Sequence, residues 1–304
     1  MSAGPILAAR GVTKEFVTKG TGKVVAGKLR FTAVDDVSFE VPRGGTLGIV
    51  GESGSGKSTT ARIIAKLIDP TRGTLEFDGE DVTSARGRTL TAFRQNVQVV
   101  FQDPYSSLNP KHTVERLISA PLDYQGIRPP QGRRAFVAEL MDRVGLNPDH
   151  AQRYPSQFSG GQAQRIGIAR ALALRPKLVI CDEAVSALDV SVQARVINLL
   201  NELKDDLGLS YVFIAHDLAV VRQIADTIAV MHRGRIVESG TRDEVFERPQ
   251  HEYTRNLLAA VPRIDPEWDR RRLEMLAAEA AGETDATQPR HGASSVGAIG
   301  GGRE

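Results

Sequence analysis

Eight residues, Gly51-Glu52-Ser53-Gly54-Ser55-Gly56-Lys57-Ser58, carry the spacing G-x-x-x-x-G-K-[ST]. Glycines at these positions let backbone N–H groups turn inward around a polyphosphate, and the start of a following helix adds a partial positive charge. Lys57 then reaches the terminal phosphates and the Ser58 hydroxyl suits Mg²⁺. A second constellation is Leu178-Val179-Ile180-Cys181-Asp182-Glu183, an apolar run closed by two carboxylates. Ligands bind at the carboxyl ends of strands in open α/β sheets. Asp182 there is placed for a metal ion, directly or through water, and Glu183 for orienting or deprotonating an attacking water. Alone, such a run is a simple strand exit to solvent; beside a phosphate loop it becomes chemistry. A third is Phe158-Ser159-Gly160-Gly161-Gln162, with Ser159 at an N-cap position ahead of a helix read from Ala163 to Leu174. The chain therefore holds two helix starts suited to anions.

These groups need a scaffold, and the sequence describes one. Residues 6–50 read as β-rich, ending in a short apolar strand over Thr46–Val50. Thr18–Arg30, rich in Lys, Gly and Thr, reads as an exposed loop or extended hairpin. A helix is expected over Ser58–Ile68, stopped by Asp69-Pro70, with strands over Thr74–Phe77 and Asn96–Gln102. Helical periodicity dominates from about Gln102 to Leu174, broken by prolines. Strands return at Leu178–Asp182, Tyr211–Ala215 and Ile228–Met231, with a helix over Val190–Leu207. Strands alternating with helices imply an α/β fold with a parallel sheet, and the helical block inserted between its halves implies a subdomain.

Composition narrows the function classes. With 41% hydrophobic and 25% charged residues over 304, the chain can bury a sizeable core. Lys plus Arg is 39 against 37 Asp plus Glu, a net charge of +2, which supplies no broad basic field for nucleic acid. The single cysteine, Cys181, excludes an intrachain disulfide and reads as a buried small hydrophobe. No apolar run approaches the roughly 18–20 residues needed to span a bilayer, and no secretory signal is visible at the N-terminus. From Glu279 onward Ala, Gly, Thr and Ser dominate, so a disordered tail is expected there. Trp268, Leu273, Met275 and Leu276 could form a short helix before it, although a solvated face explains them as well.

The order of the three motifs resembles that of ABC-transporter nucleotide-binding subunits. The resemblance implies a P-loop NTPase cassette with an N-terminal antiparallel β subdomain and an inserted helical subdomain. It implies ATP and Mg²⁺ as ligands, with Gly51 through Ser58 and Thr59 on the nucleotide and Ser58, Gln102 and Asp182 on the metal. Glu183, His216 and Gln102 are the catalytic residues that it implies. Gln102, in Val99-Val100-Phe101-Gln102-Asp103, matches the Q-loop glutamine, and His216, in Phe213-Ile214-Ala215-His216-Asp217, the switch histidine. Asp189, in Ser186-Ala187-Leu188-Asp189, matches the D-loop, and Phe16 the aromatic that stacks on adenine. Taken singly, Phe16 reads as a strand residue and His216 as a structural histidine.

A narrower resemblance, to the oligopeptide/dipeptide importer branch, rests on Phe101–Pro110, Ile236–Gly240, Arg248–Thr254 and Leu257–Arg263. Ala163 departs from the arginine usual there, and no cysteine stands where some members bind an iron–sulfur cluster. The resemblance divides the chain into a nucleotide-binding domain (1–245, helical part about 102–174), a branch-type extension (246–277) and the tail (278–304). It implies two cassettes packed head to tail, Ser159, Gly160, Gly161 and Gln162 of each capping the other's ATP. The implied partners are an identical or sibling ATPase, two integral permease subunits on whose cytoplasmic face the cassette sits, and indirectly an extracytoplasmic solute-binding protein. Peptides are the default solute, with nickel, glutathione or oligosaccharide as alternatives. A soluble ABC ATPase is the rival class. A long coiled coil between loop and signature would mark its DNA-repair kind, and none is visible.

Overall fold

The computed structural model describes residues 4–19 and 28–259. In chain order the elements are β1 (Leu7–Lys19), β2 (Lys28–Val41), β3 (Thr46–Val50), α1 (Lys57–Ile64), β4 (Arg72–Phe77), β5 (Glu80–Asp81), α2 (Gly87–Asn96) and β6 (Val97–Val100). The helical block follows as α3 (Pro104–Ser107), α4 (Val114–Gln125), α5 (Arg133–Arg143) and α6 (Gly160–Leu172). Then come β7 (Leu178–Asp182), α7 (Val190–Leu207), β8 (Ser210–Ala215), α8 (Leu218–Arg222), β9 (Thr227–His232), β10 (Arg235–Thr241), α9 (Arg242–Glu247) and α10 (Glu252–Ala259).

Two sheets result. The first is antiparallel, in the order β2-β1-β4-β5; the second runs β10-β9-β3-β8-β7-β6. In the second, β9, β3, β8, β7 and β6 are mutually parallel and β10 closes one edge antiparallel to β9. A parallel sheet is apolar on both faces because crossover helices cover it, and residue alternation shows this directly. Leu178, Ile180, Val212 and Ile214 belong to a core shared with β1, β2 and α1. Val179, Cys181, Tyr211 and Phe213 belong to a second core with α4 through α7. Removing a side chain such as Phe213 from water contributes about 1.5–3 kcal/mol. The parallel register aligns Val50 with Ala215, and Asp182 with Ile214, so the loops after β3, β7 and β8 leave from one edge of the sheet.

Several sequence expectations shift by a few residues. The helix after the phosphate loop ends at Ile64 rather than Ile68, because Lys66 takes a left-handed φ of 52°. Its buried ammonium donates to Asp69 Oδ1 at 2.6 Å and to the Thr83 carbonyl at 2.5 Å. The strand read as Asn96–Gln102 is the four-residue β6, and Asn96 closes α2. Strands β1 and β2 extend into Thr18–Arg30 as an antiparallel hairpin, whose residues 20–27 lie outside the described ones. The short helix expected around Trp268–Leu276 and the tail also lie outside them.

Candidate functional site

The phosphate loop sits where buried β3 meets the half-buried start of α1. Gly51 has φ 150°, and a Cβ there would lie 2.1 Å from the Met231 carbonyl oxygen. Gly56 has φ 107°, and its Cβ would lie 2.5 Å from the Ala33 carbonyl oxygen. Both positions exclude any side chain. Gly56 is also the N-cap of α1 and offers no side-chain acceptor, so the first-turn N–H groups remain available to an anion. Lys57 is buried, and its Nζ donates to the carbonyls of Gly51 at 2.7 Å and Glu52 at 2.8 Å. Burial holds its pKa below the ordinary ammonium range, while the carboxylates of Glu183, Asp182 and Glu52 pull it back up. A bound polyphosphate would act in that same upward direction.

Opposite stands the end of β7. Ser58 Oγ donates to Asp182 Oδ1 at 3.3 Å. Burial raises the Asp182 pKa, the Ser58 hydrogen bond opposes this, and the neighbouring Glu183 charge adds to it. A carboxylate and a hydroxyl so paired, with the carboxylate destabilised by burial although Arg62 and Lys57 partly offset this, suit a hard divalent cation. Glu183 follows with φ 51°, a left-handed conformation that costs a non-glycine residue about 1–3 kcal/mol. Its N–H donates to the Ile214 carbonyl at 2.9 Å, and its own carbonyl accepts from Ser186 Oγ at 2.9 Å. The backbone is thus fixed at both ends, and Glu183 lines a cavity of about 250 Å³ with Ser53, Gly54, Gly56, Lys57, Ser58 and Thr59.

Gln102 lies across a larger cleft of about 720 Å³, which it lines with Ser58, Asp182, Arg62, Arg94 and Arg170. His216 is exposed and follows β8, one residue past the Ala215–Val50 register, on the strand beside the phosphate loop. The cleft's arginines were not singled out by sequence, because each contributes to it from a different element.

Ser159 caps α6 in a reciprocal pair: Ser159 N donates to Gln162 Oε1 at 3.0 Å, and Gln162 N to Ser159 Oγ at 3.4 Å. The helix therefore begins at Gly160, three residues before the expected Ala163. A Cβ on Gly161 would lie 2.5 Å from Val192 Cγ1, so that glycine also permits close packing on α7. Asp189 caps α7 by accepting from Val192 N at 3.0 Å. The signature and Asp189 thus sit together at paired helix starts. None of Ser159, Gly160, Gly161 or Gln162 lines either cavity containing Ser58.

Phe16 pairs across the β1–β2 ladder with Phe31, and the Lys14 ammonium stands 5.4 Å from its ring centre. Phe31, not Phe16, is the aromatic lining the phosphate-loop cavity. Sequence reasoning passed over Phe31; its pairing with Phe16 across a hairpin was the available signal. Tyr253, from α10, accepts a hydrogen bond from the Glu52 N–H at 3.0 Å and was likewise unassigned.

Comparisons with known proteins identify the family. The family model described as ABC transporter matches residues 34–186, and that described as oligopeptide/dipeptide transporter, C-terminal region, matches residues 237–290. The oligopeptide transport ATP-binding protein OppF of Streptococcus mutans is 51% identical over 242 residues, covering 79% of this chain and 79% of that protein. The glutathione import ATP-binding protein GsiA of Pectobacterium atrosepticum is 53% identical over 234 residues, covering 77% of this chain and 38% of that protein. The dimeric structure of the ATP-binding cassette MJ0796 in a post-hydrolysis state with ADP and Pi superposes with a TM-score of 0.67 at 29% identity, covering 78% of this chain and 98% of that one. With a phosphate loop, an acidic strand end and a capped signature helix on this α/β frame, and with relatives of this closeness, the chain belongs to the ABC transporter family as an ATP-binding, ATP-hydrolysing cassette.

Proposed function

We propose that the chain energises import of oligopeptides through a pair of membrane-spanning permease subunits, from the cytoplasmic face of the membrane. The observation that carries this is the separation of the two half-sites: the phosphate loop opens on one cavity, and the signature helix start lies outside it. Each is completed by a second cassette, identical or sibling, packed head to tail. ATP binding then favours the closed pair and hydrolysis removes the bias. The likeness to OppF and the match over residues 237–290 support oligopeptides as the solute. Glutathione is the second reading, supported by the 53% identity to GsiA. No described helix is long and apolar enough to cross a membrane, so the route belongs to other subunits. We take residues 1–245 as the nucleotide-binding domain and 246–277 as the importer-type extension.

In this reading Lys57 and the loop N–H groups, with Thr59, hold the phosphates, and the Phe16 ring stacks on adenine. Mg²⁺, held by Ser58, Asp182 and Gln102, supplies neutralisation of phosphate charge when bound. Glu183 orients a water toward the γ-phosphorus and takes its proton as the bond to the departing ADP oxygen breaks. His216 donates to the γ-phosphate, and Gln102 senses closure beside the permease. Ser159–Gln162 and Asp189 reach the partner's nucleotide. Lys57→Ala is expected to weaken ATP binding at least tenfold, the scale on which a lost charged hydrogen bond acts. Glu183→Gln should retain binding and lose almost all phosphate release. Calorimetry and a phosphate assay on both variants test this; wild-type turnover in Glu183→Gln would remove Glu183 from its role.

A further inference from the structure

One peptide unit of the phosphate loop is held from both sides. The Gly51 carbonyl accepts from Lys57 Nζ at 2.7 Å, and the N–H of the same unit, on Glu52, donates to Tyr253 Oη at 3.0 Å. These partners lie on opposite ends of one rigid plane. Rotating that plane would break both bonds together and turn the carbonyl away from the ammonium. Tyr253 is itself fixed. Its ring packs on His232 with centroids 4.0 Å apart. Glu238 on β10 accepts from the N–H groups of Gln250 at 2.8 Å and His251 at 3.0 Å, anchoring the chain just ahead of α10. His232 follows Met231, whose carbonyl oxygen forbids a side chain on Gly51. The C-terminal helix, 201 residues away in sequence, thus reaches the loop through one hydroxyl.

We propose that Tyr253 is a positioning residue for the phosphate loop: by accepting the Glu52 N–H it sets the Gly51–Glu52 peptide plane, and through it the Lys57 ammonium, so that ATP affinity depends on the docked C-terminal helix. The inference rests on the reading of Gly51–Ser58 as the ATP loop. It gives the importer-type extension a task inside the cassette that carries it. Because the Glu52 N–H faces Tyr253, this contact braces the loop without competing for a phosphate.

The test is Tyr253→Phe in the full-length chain, which keeps the ring on His232 and removes only the acceptor. ATP titration calorimetry and initial rates should show Kd and KM for MgATP rising about three- to tenfold, the range expected for one hydrogen bond. The turnover number should stay within about twofold, and amide exchange at Glu52 should quicken. A merely structural role would instead lower the melting temperature and leave the KM-to-kcat balance unmoved. Glu238→Gln, which weakens the anchor just ahead of the same helix, should raise KM in the same direction and be non-additive with Tyr253→Phe; it also serves if Tyr253→Phe fails to fold. Wild-type Kd, KM and Glu52 exchange in these variants overturn the proposal. Lys57→Ala separates the two levels: if it loses ATP while Tyr253→Phe is unchanged, only this inference falls, and if it binds ATP normally, the reading of the loop falls with it.

Discussion

Asp182 is the residue on which stability and chemistry pull apart. Burial raises its pKa above the ordinary 3.8, so the folded chain holds that proton more readily than the unfolded one. Its ionisation therefore costs stability as pH rises from 3.8 through the raised value, and the full cost persists above it. Asp182→Asn is expected to raise the melting temperature at pH 7 by a degree or more and to leave it unchanged at pH 3, while phosphate release falls more than tenfold. Thermal melts at the two pH values decide it. Asp69 behaves oppositely: the Lys66 hydrogen bond, followed by that of Arg86, holds its pKa below 3.8. Its contribution is present above 3.8 and is lost as pH falls below it. That Lys57, Asp182 and Glu183 stand close together was legible in sequence because each sits inside a short window at the end of an apolar strand. Tyr253 and Phe31 were not, since each acquires meaning only from a contact made by folding.

At the scale of elements, α6 contains a paired experiment in its own glycines. A methyl on Gly161 meets Val192 at 2.5 Å, whereas one on Gly167 meets nothing within 4 Å. Gly167→Ala should stabilise the chain by about 0.5–1 kcal/mol through helix propensity alone. Gly161→Ala should push α6 from α7 and destabilise by about 1–3 kcal/mol, as overpacking does. Chemical denaturation of both variants checks the contrast. The elements that sequence reading placed well, β3, β7 and α7, have continuous apolar runs or clear caps. Helix α2 was missed because Phe93 is its one buried residue, leaving no periodic stripe. Strand β10 was missed because its residues are only half buried at a sheet edge. The early end of α1 lies in the backbone of Lys66, a residue type that gives no such signal.

At the scale of the whole molecule, the segment after Gln102 is tied to the signature. Tyr105 Oη donates to the Phe158 carbonyl at 2.8 Å, and Arg170 Nη1 to the Ser107 carbonyl at 2.6 Å. These two bonds link the segment lining the cleft to α6 and the chain just ahead of it, the helix start that the proposed function assigns to a second cassette's nucleotide. Tyr105→Phe should leave ATP affinity intact and lower turnover about threefold to tenfold, read by binding and rate in parallel. That outcome requires each site to be completed by two cassettes. The direct measurement is ATP turnover per chain against protein concentration, with molecular mass followed by light scattering. Turnover is expected to belong to a species holding a second cassette: it falls on dilution toward the 32.9 kDa protomer, or stays near zero until a sibling cassette is added. Full turnover from a species that remains at 32.9 kDa at every concentration would contradict it.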